Sequence, residues 1–541
     1  MDKRRKVERV TVIVGFDGLG TAAHLGTPQL SYRHYIVQHE TSLYATHLRI
    51  EQKARQNVRM NRVRTVCIVG AGFSGTMLAA QLLREAPAGA LRIVLVTRPT
   101  PTTQQGRQSG ALARGLAYGT DSPDHLLNVP AARMSAWPAQ PDDFVRFLHD
   151  QGAAFAHATD PLLDARFVPR HWYGRYLRHI LDTTRLAHPD IGFEIRAGNV
   201  VDLRTVAGQT SALNVVFDDG DALQADAVAL AVGNFAPAHP ASLPPALTHH
   251  PRYVRDPWDA DALARVDLNQ PILLLGTGLT MYDVVLSLLR RAASAPSKGD
   301  PTLLAISRRG LLPQPHRVHT ATPHFADIRD LGTPTARGYL RALRTRIADA
   351  AASGLDWRDV LAAIRPATPA LWRALPDAER ARFLRHLKPY WESHRHRAAP
   401  EIAQAIDAAR GRGALRIERA SLVDVAALAD GSGLSVHTRA RGGTLTTARR
   451  FGTLINCTGP SARLEAEPLL AELATRGVIS ADTMRLGLAL EDDYRPSSSL
   501  PVLFYVGPLL RARHWEATAV PELREHVARC ALEILNSIGA S

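Results

Sequence analysis

Residues 66 to 83 read Val-Cys-Ile-Val, then Gly70-x-Gly72-x-x-Gly75, then Met77, Leu78, Leu82 and Leu83 at helical spacing. A β-branched apolar run, a spaced glycine triplet and a helical period specify strand, tight turn and helix. The first glycine permits the turn, the second lets a pyrophosphate approach the backbone, and the third lets helix and strand pack closely. Free N–H groups in the first helical turn then face the phosphates. The three glycines, with Phe73 and Ser74 at the helix start, are therefore candidate contacts to a dinucleotide.

The next parallel strand, Leu91 to Val96, ends at Thr97-Arg98, where an acid would ordinarily hold the ribose. Thr97 is the candidate ribose contact, its hydroxyl a weaker partner than a carboxylate. Arg114-Gly-Leu-Ala-Tyr-Gly119 and Leu127-Asn-Val-Pro-Ala-Ala-Arg-Met134 have the Gly/Pro punctuation of ligand-wrapping loops, with Arg114 and Asn128 as their candidate side chains. Asp142 to His149 and His171 to Leu186 read as amphipathic helices. Residues 193–233 then run as strand, Val-Val-Asp-Leu, a hairpin at Asp218-Asp-Gly220 and a strand ending at Gly233. Residues 415–459 repeat that plan through Leu-Val-Asp-Val, Asp430-Gly-Ser-Gly433 and Gly459. Two units of one design imply two related nucleotide domains, each with a β-meander returning to a parallel sheet.

A second fingerprint supports this reading. Pro271 to Leu275 is a strand, Gly276-Thr-Gly278-Leu-Thr280-Met281 the turn, and Val284, Val285, Leu288 and Leu289 the buried helix face. Gly276, Gly278 and Thr280 are the candidate contacts; Met281 replaces the third glycine and should widen the helix–strand contact. The following strand ends in Ser307-Arg308-Arg309 with no acid. A carboxylate there would select NADH through the 2′-hydroxyl, whereas arginine accommodates a 2′-phosphate, so NADPH is favoured over NADH.

A chain of 541 residues exceeds one core. The expected fold class is α/β: two Rossmann-like dinucleotide-binding domains in three layers with β-meanders, plus a helical insertion. The first dinucleotide-binding domain is assigned to 62–245 and 452–541, the second to 246–324 and 413–451, and the insertion to 325–412. Helical periods at Tyr339 to Ala350, Trp357 to Ile364, Glu379 to Leu387 and Ile402 to Arg410, broken by prolines, define that insertion. Residues 1–61 read as a disordered extension, in which Gly15-Phe-Asp-Gly18-Leu-Gly20 imitates a phosphate loop without a following helix. Val502 to Val506 leads to Gly507, another candidate cofactor contact, and Pro521 to Ile538 is a helix whose N-terminus would favour negative charge on a reduced flavin.

The net charge of +14 is carried mostly by arginines spread along the chain, which suits anionic cofactors better than a nucleic-acid stripe. His394-Arg-His396 stands among arginines with Glu392 as its one near acid, reading as a solvated or anion-facing cluster and not a metal pair. Cys67, Cys457 and Cys530 lie far apart and read as reduced core thiols. No run of about 18 apolar residues appears, so the expectation is a cytoplasmic protein without membrane or nucleic-acid partners.

These motifs, with Asp256-Pro-Trp258, Ser307-Arg-Arg-Gly310 followed by Pro313 and His316, and Trp515-Glu-Ala-Thr518, give the chain a resemblance over roughly residues 62 to 540. It resembles the bacterial FAD/NAD(P)-binding flavoproteins called YdhS-like, themselves similar to the two-dinucleotide flavin monooxygenases that hydroxylate amine nitrogen. The resemblance implies FAD on the first fingerprint and NAD(P)H on the second. It implies an oxidoreductase acting on a small molecule, a monooxygenase or else a reductase or oxidase without hydroxylation; the alternative from another class is a non-catalytic flavin-binding protein. The resemblance brings no substrate, and no general acid or base stands out, so no catalytic side chain is assigned.

Overall fold

The computed structural model of the chain describes residues 62–98, 112–206, 209–294, 299–317, 328–497, 500 and 502–539. The expected extension, 1–61, lies outside them. Fifteen strands run through the described residues. They are β1 (Arg64–Val69), β2 (Leu91–Thr97), β3 (Gly192–Ala197), β4 (Val200–Val206), β5 (Gln209–Phe217), β6 (Ala222–Ala225), β7 (Ala227–Leu230) and β8 (Tyr253–Val254). There follow β9 (Ile272–Leu275), β10 (Leu303–Ser307), β11 (Leu415–Ala427), β12 (Leu434–Ala440), β13 (Thr446–Phe451), β14 (Thr453–Asn456) and β15 (Leu503–Tyr505).

The first sheet has the order β15-β7-β1-β2-β3, and every pairing in it is parallel. Its central strand carries Val66, Cys67 and Ile68 fully buried, as a sheet covered on both faces requires. The helices Phe73–Glu85, Arg170–Ala187 and Val520–Gly539 pack together beside it. The strands β4, β5 and β6 form the separate antiparallel meander read from Asp218-Asp-Gly220.

The second sheet has the order β13-β12-β11-β10-β9-β14-β8. Its β11 is one long strand that pairs parallel with β10 at its start and antiparallel with β12 at its end, so the second meander is continuous with its sheet. The first unit breaks at the same place into β3 and β4.

Two assignments shift. Strand β14, expected in the 452–541 part of the first domain, pairs with β9 and β8 in the second sheet. The helix Pro400–Gly411, expected in the insertion, buries Ala403, Ile406 and Ala409 in the second core beside Val284, Val285 and Leu288 of Leu279–Ala293. Parallel neighbours β10 and β11 need a crossover helix to cover the sheet, and Pro400–Gly411 supplies it. The insertion thus interrupts that crossover and consists of Ala336–Ala352, Trp357–Ala363, Thr368–Ala374, Asp377–His386 and Lys388–Arg395.

Candidate functional site

Both glycine turns use one backbone device. Gly70 has φ +112°, and a Cβ on it would lie 2.4 Å from the Ala231 carbonyl oxygen. Gly276 has φ +114°, and a Cβ there would lie 2.4 Å from the Cys457 carbonyl oxygen. In each turn a neighbouring strand end leaves no room for a side chain, and the left-handed backbone excludes one anyway. A Cβ on Gly75 would sit 1.8 Å from the Gly70 carbonyl oxygen, so the third glycine is fixed by helix–turn packing. At the corresponding place in the second turn, Met281 is fully buried in the second core.

The middle glycines differ from their neighbours. A Cβ on Gly72 would meet nothing closer than the Gly115 Cα at 3.7 Å, and one on Gly278 would meet nothing within 4 Å. Each caps its helix without a side-chain hydrogen bond, leaving the N–H groups of the first two helical residues open. An open face beside unsatisfied helix N–H donors, at the carboxyl edge of a parallel sheet, fits a dinucleotide pyrophosphate. Phe73 and Ser74 open the first helix, with Ser74 buried, and Leu279-Thr280 opens the second.

The predicted loop residues gather on the first turn. Ala113 donates its N–H to the Ala71 carbonyl at 2.8 Å, and a Cβ on Gly115 would lie 3.1 Å from the Gly72 Cα. Arg114 therefore stands beside the phosphate turn, its side chain against Gly174. Thr97 is half-buried at the end of β2, and the adjacent Arg98 pairs with the buried Glu467. Gly507 follows β15 on the same sheet edge, in a backbone where a Cβ would lie 2.8 Å from the Tyr505 hydroxyl.

In the second domain, Thr277 Oγ1 hydrogen-bonds Ser307 Oγ at 2.8 Å and donates to the Leu311 carbonyl at 2.7 Å, fixing the strand end. The two arginines there separate. Arg308 is exposed, and no hydrogen bond or ion pair holds its guanidinium among the described residues. Arg309 donates to the carbonyls of Arg385 and His386 at 3.3 Å and lies 5.3 Å from the Tyr390 ring, packing the sheet edge onto the insertion.

The two turns are held in register by a polar interface between Arg170–Ala187 and Leu279–Ala293. Arg170 pairs with Asp283 at 2.8 Å, both largely buried, and the same guanidinium lies 5.2 Å from the Trp258 ring. His125 Nε2 meets Ser287 Oγ at 2.8 Å. The Asp256-Pro-Trp258 motif thus belongs to the domain interface.

Asn128 lies where the first domain meets the second. His316 Nε2 donates to its carbonyl at 3.1 Å, while His316 N–H bonds Ala398 and brings in the end of the insertion. Burial, and after it the charge of Arg397, holds His316 down to about 3, so it stays neutral with its proton on Nε2.

Around this junction lies a cluster that the sequence disclosed only at His394-Arg-His396. Arg317 pairs with buried Asp359, Arg358 with Asp356 at 2.9 Å, Arg365 with Glu522, and Arg395 with Glu516 at 2.9 Å. Arg133 and Arg397 have no carboxylate partner among the described residues, and Arg397 Nε is buried with no hydrogen-bond partner. Burial and the charges of Arg395, Arg358, Arg133 and Arg317 push Arg397 down to about 10, still cationic at neutral pH. Among the described residues, six guanidinium groups against four carboxylates leave two positive charges uncompensated. His394 and His396 turn to different partners, Tyr390 and Ser393 for one and Glu392 for the other. No helix of the described residues is long and apolar enough to cross a membrane.

Residues 67–235 match the family model described as FAD-NAD(P)-binding. The L-aspartate N-monooxygenase (nitrosuccinate-forming) of Streptomyces davaonensis is 28% identical over 334 residues, covering 52% of this chain and 49% of that protein. The chain thus spans about half the length of the curated relative it matches. The L-lysine 6-monooxygenase of Pseudomonas syringae superposes with a TM-score of 0.58 at 18% identity, covering 88% of this chain and 100% of that one. The ornithine hydroxylase of Pseudomonas aeruginosa gives 0.57 at 18% identity, covering 88% and 99%. The FAD-bound cadaverine monooxygenase of Erwinia amylovora gives 0.56 at 15% identity, covering 89% and 95%. Residues 67–235 are therefore an FAD-NAD(P)-binding domain, set in a chain with the fold of the two-dinucleotide flavin monooxygenases.

Proposed function

We propose that the protein is an FAD- and NADPH-dependent monooxygenase that hydroxylates the amine nitrogen of a small, carboxylate-bearing molecule. The observation that carries the reading is the pair of matched phosphate turns joined across one interface, because a single-cofactor enzyme or a scaffold needs only one or neither. In this reading Gly70, Gly72 and Gly75, with Arg114, Thr97 and Gly507 near them, hold FAD, and Gly276, Gly278, Thr280 and Arg308 hold NADPH. Bound at the first turn, FAD would supply the oxygen-activating chemistry, and NADPH at the second the electrons for it.

The chain's own residues bind and orient the substrate. Arg133 and Arg397 receive its carboxylate, and neutral His316 keeps the second-domain segment pinned to Asn128. Two uncompensated positive charges also disfavour an ammonium, so a bound amine keeps its nitrogen lone pair free to react. L-aspartate, which the Streptomyces davaonensis relative is named for, has the anionic character this cluster suits. The test is NADPH and oxygen consumption by the yellow holoprotein across amines with and without a carboxylate. Stimulation confined to carboxylate-bearing amines supports the reading. Peroxide formation that no amine alters makes the protein an oxidase, and a colourless protein makes it neither.

A further inference from the structure

The insertion holds an apolar cleft open to one side. Its apolar residues form two small clusters, one around Val360 and Ile364 and another around Trp372, Leu375 and Trp515, in place of one core. A cavity of about 570 Å³ lies among them, walled by four of the chain's seven tryptophans: Trp357, Trp372, Trp391 and Trp515. Protein interiors normally close-pack, and a space of this size falls within the range of small-molecule sites.

That wall is shared with the cationic junction. Arg358 and Arg397 lie 4.4 and 5.9 Å from the Trp357 ring. Trp391 donates its indole N–H to Glu516 at 3.2 Å, and Glu516 pairs with Arg395. Trp515 stacks under Arg511 at 4.3 Å. An apolar chamber thus abuts Arg397, whose unpaired charge is joined by that of the exposed Arg133, the arrangement that receives a molecule apolar at one end and anionic at the other.

We propose that the substrate is an amphipathic anion, its carboxylate on Arg397 and Arg133 and an alkyl or aryl arm in the tryptophan-walled cavity. This rests on the reading of the arginine cluster as the substrate's anion site, and adds an apolar arm that aspartate lacks.

The experiment measures binding without turnover: quenching of tryptophan emission of the oxidised holoprotein by n-alkanoates of four to twelve carbons and matched n-alkanols, below their micelle concentrations. Affinity should rise about fourfold per methylene, as burial of a CH₂ predicts, until the cavity is full. Acids should bind about tenfold tighter than alcohols of equal length, as a charge-assisted contact predicts. The Arg133→Gln/Arg397→Gln pair should remove the acid preference and keep the length dependence. Leu343→Trp, which adds volume to the cavity wall, should flatten the length dependence; NADPH reduction of the flavin checks that each variant is folded. Affinity independent of length, or a length dependence unchanged in Leu343→Trp, overturns the cavity assignment. An acid preference unchanged in the double variant overturns the arginine assignment. Binding as described by a protein that hydroxylates no amine sinks the monooxygenase reading alone.

Discussion

Arg308 and Arg309 are adjacent in sequence, yet replacing each should have different consequences. The strand end is held by Thr277 and by Ser307 Oγ, which accepts the Gly310 N–H at 2.9 Å, so truncating Arg308 leaves the backbone in place. A guanidinium bonded to a 2′-phosphate is worth roughly 1.5–3 kcal/mol. Because Arg308 is exposed, solvent screening takes the lower end, about tenfold in affinity. In anaerobic stopped-flow, Arg308→Ala should raise the apparent Kd for NADPH about tenfold. It should leave NADH, and the limiting rate constant with either cofactor, unchanged. Raising ionic strength should shrink the native preference in parallel. Arg309→Ala should leave cofactor choice alone and loosen the helices Asp377–His386 and Lys388–Arg395, which its guanidinium and Tyr390 contact tie down. Equal use of NADPH and NADH by the native protein, or an Arg308→Ala variant that weakens both alike, would refute the assignment.

Three further perturbations separate ligand contacts from fold contacts. Gly72→Val should fold, since its Cβ clears protein atoms by 3.7 Å, but purify colourless; Gly75→Ala, 1.8 Å from a carbonyl, should lose soluble protein. Full flavin content in Gly72→Val would disprove the first phosphate site. Asp283→Asn strands Arg170 at the domain interface and should cost about 3 kcal/mol in urea unfolding, with slower flavin reduction by NADPH; a loss under 1 kcal/mol would show the pair to be incidental. Burial, then the charge of His514, holds His526 down to about 3. Below the unfolded value near 6.5 only the unfolded chain takes up that proton. Its contribution is therefore complete above pH 6.5 and lost as pH falls toward 3, at up to about 1.4 kcal/mol per pH unit. His526→Gln should reduce the slope of stability against pH between 6 and 4 by about that amount, and an unchanged slope would count against a neutral buried His526.

The two glycine turns were legible because their glycines answer to backbone geometry: Gly70 and Gly276 have nearly the same φ and the same close approach. The α/β class and both meanders followed from the same local rules. Helix Pro400–Gly411 was placed in the wrong core because a helical period says that one face is buried and not against what. Strand β14 was assigned one sheet too early in the return for a similar reason, since a parallel strand's partners are remote in sequence. The arginine junction was nearly invisible. Arg133, Arg317, Arg358, Arg365, Arg395 and Arg397 come from four segments, and only the folded pairing reveals which charges remain uncompensated. Arg308 and Arg309 were likewise indistinguishable until the insertion was seen to occupy one of them.

The most direct test of the central claim is isotopic. The holoprotein would be supplied with NADPH, ¹⁸O₂ and a carboxylate-bearing amine that stimulates oxygen uptake, and the products analysed by mass spectrometry. The account predicts one ¹⁸O atom on the amine nitrogen of the product for each NADPH oxidised, with little labelled peroxide. Labelled peroxide at one per NADPH, with no labelled amine product, would contradict it.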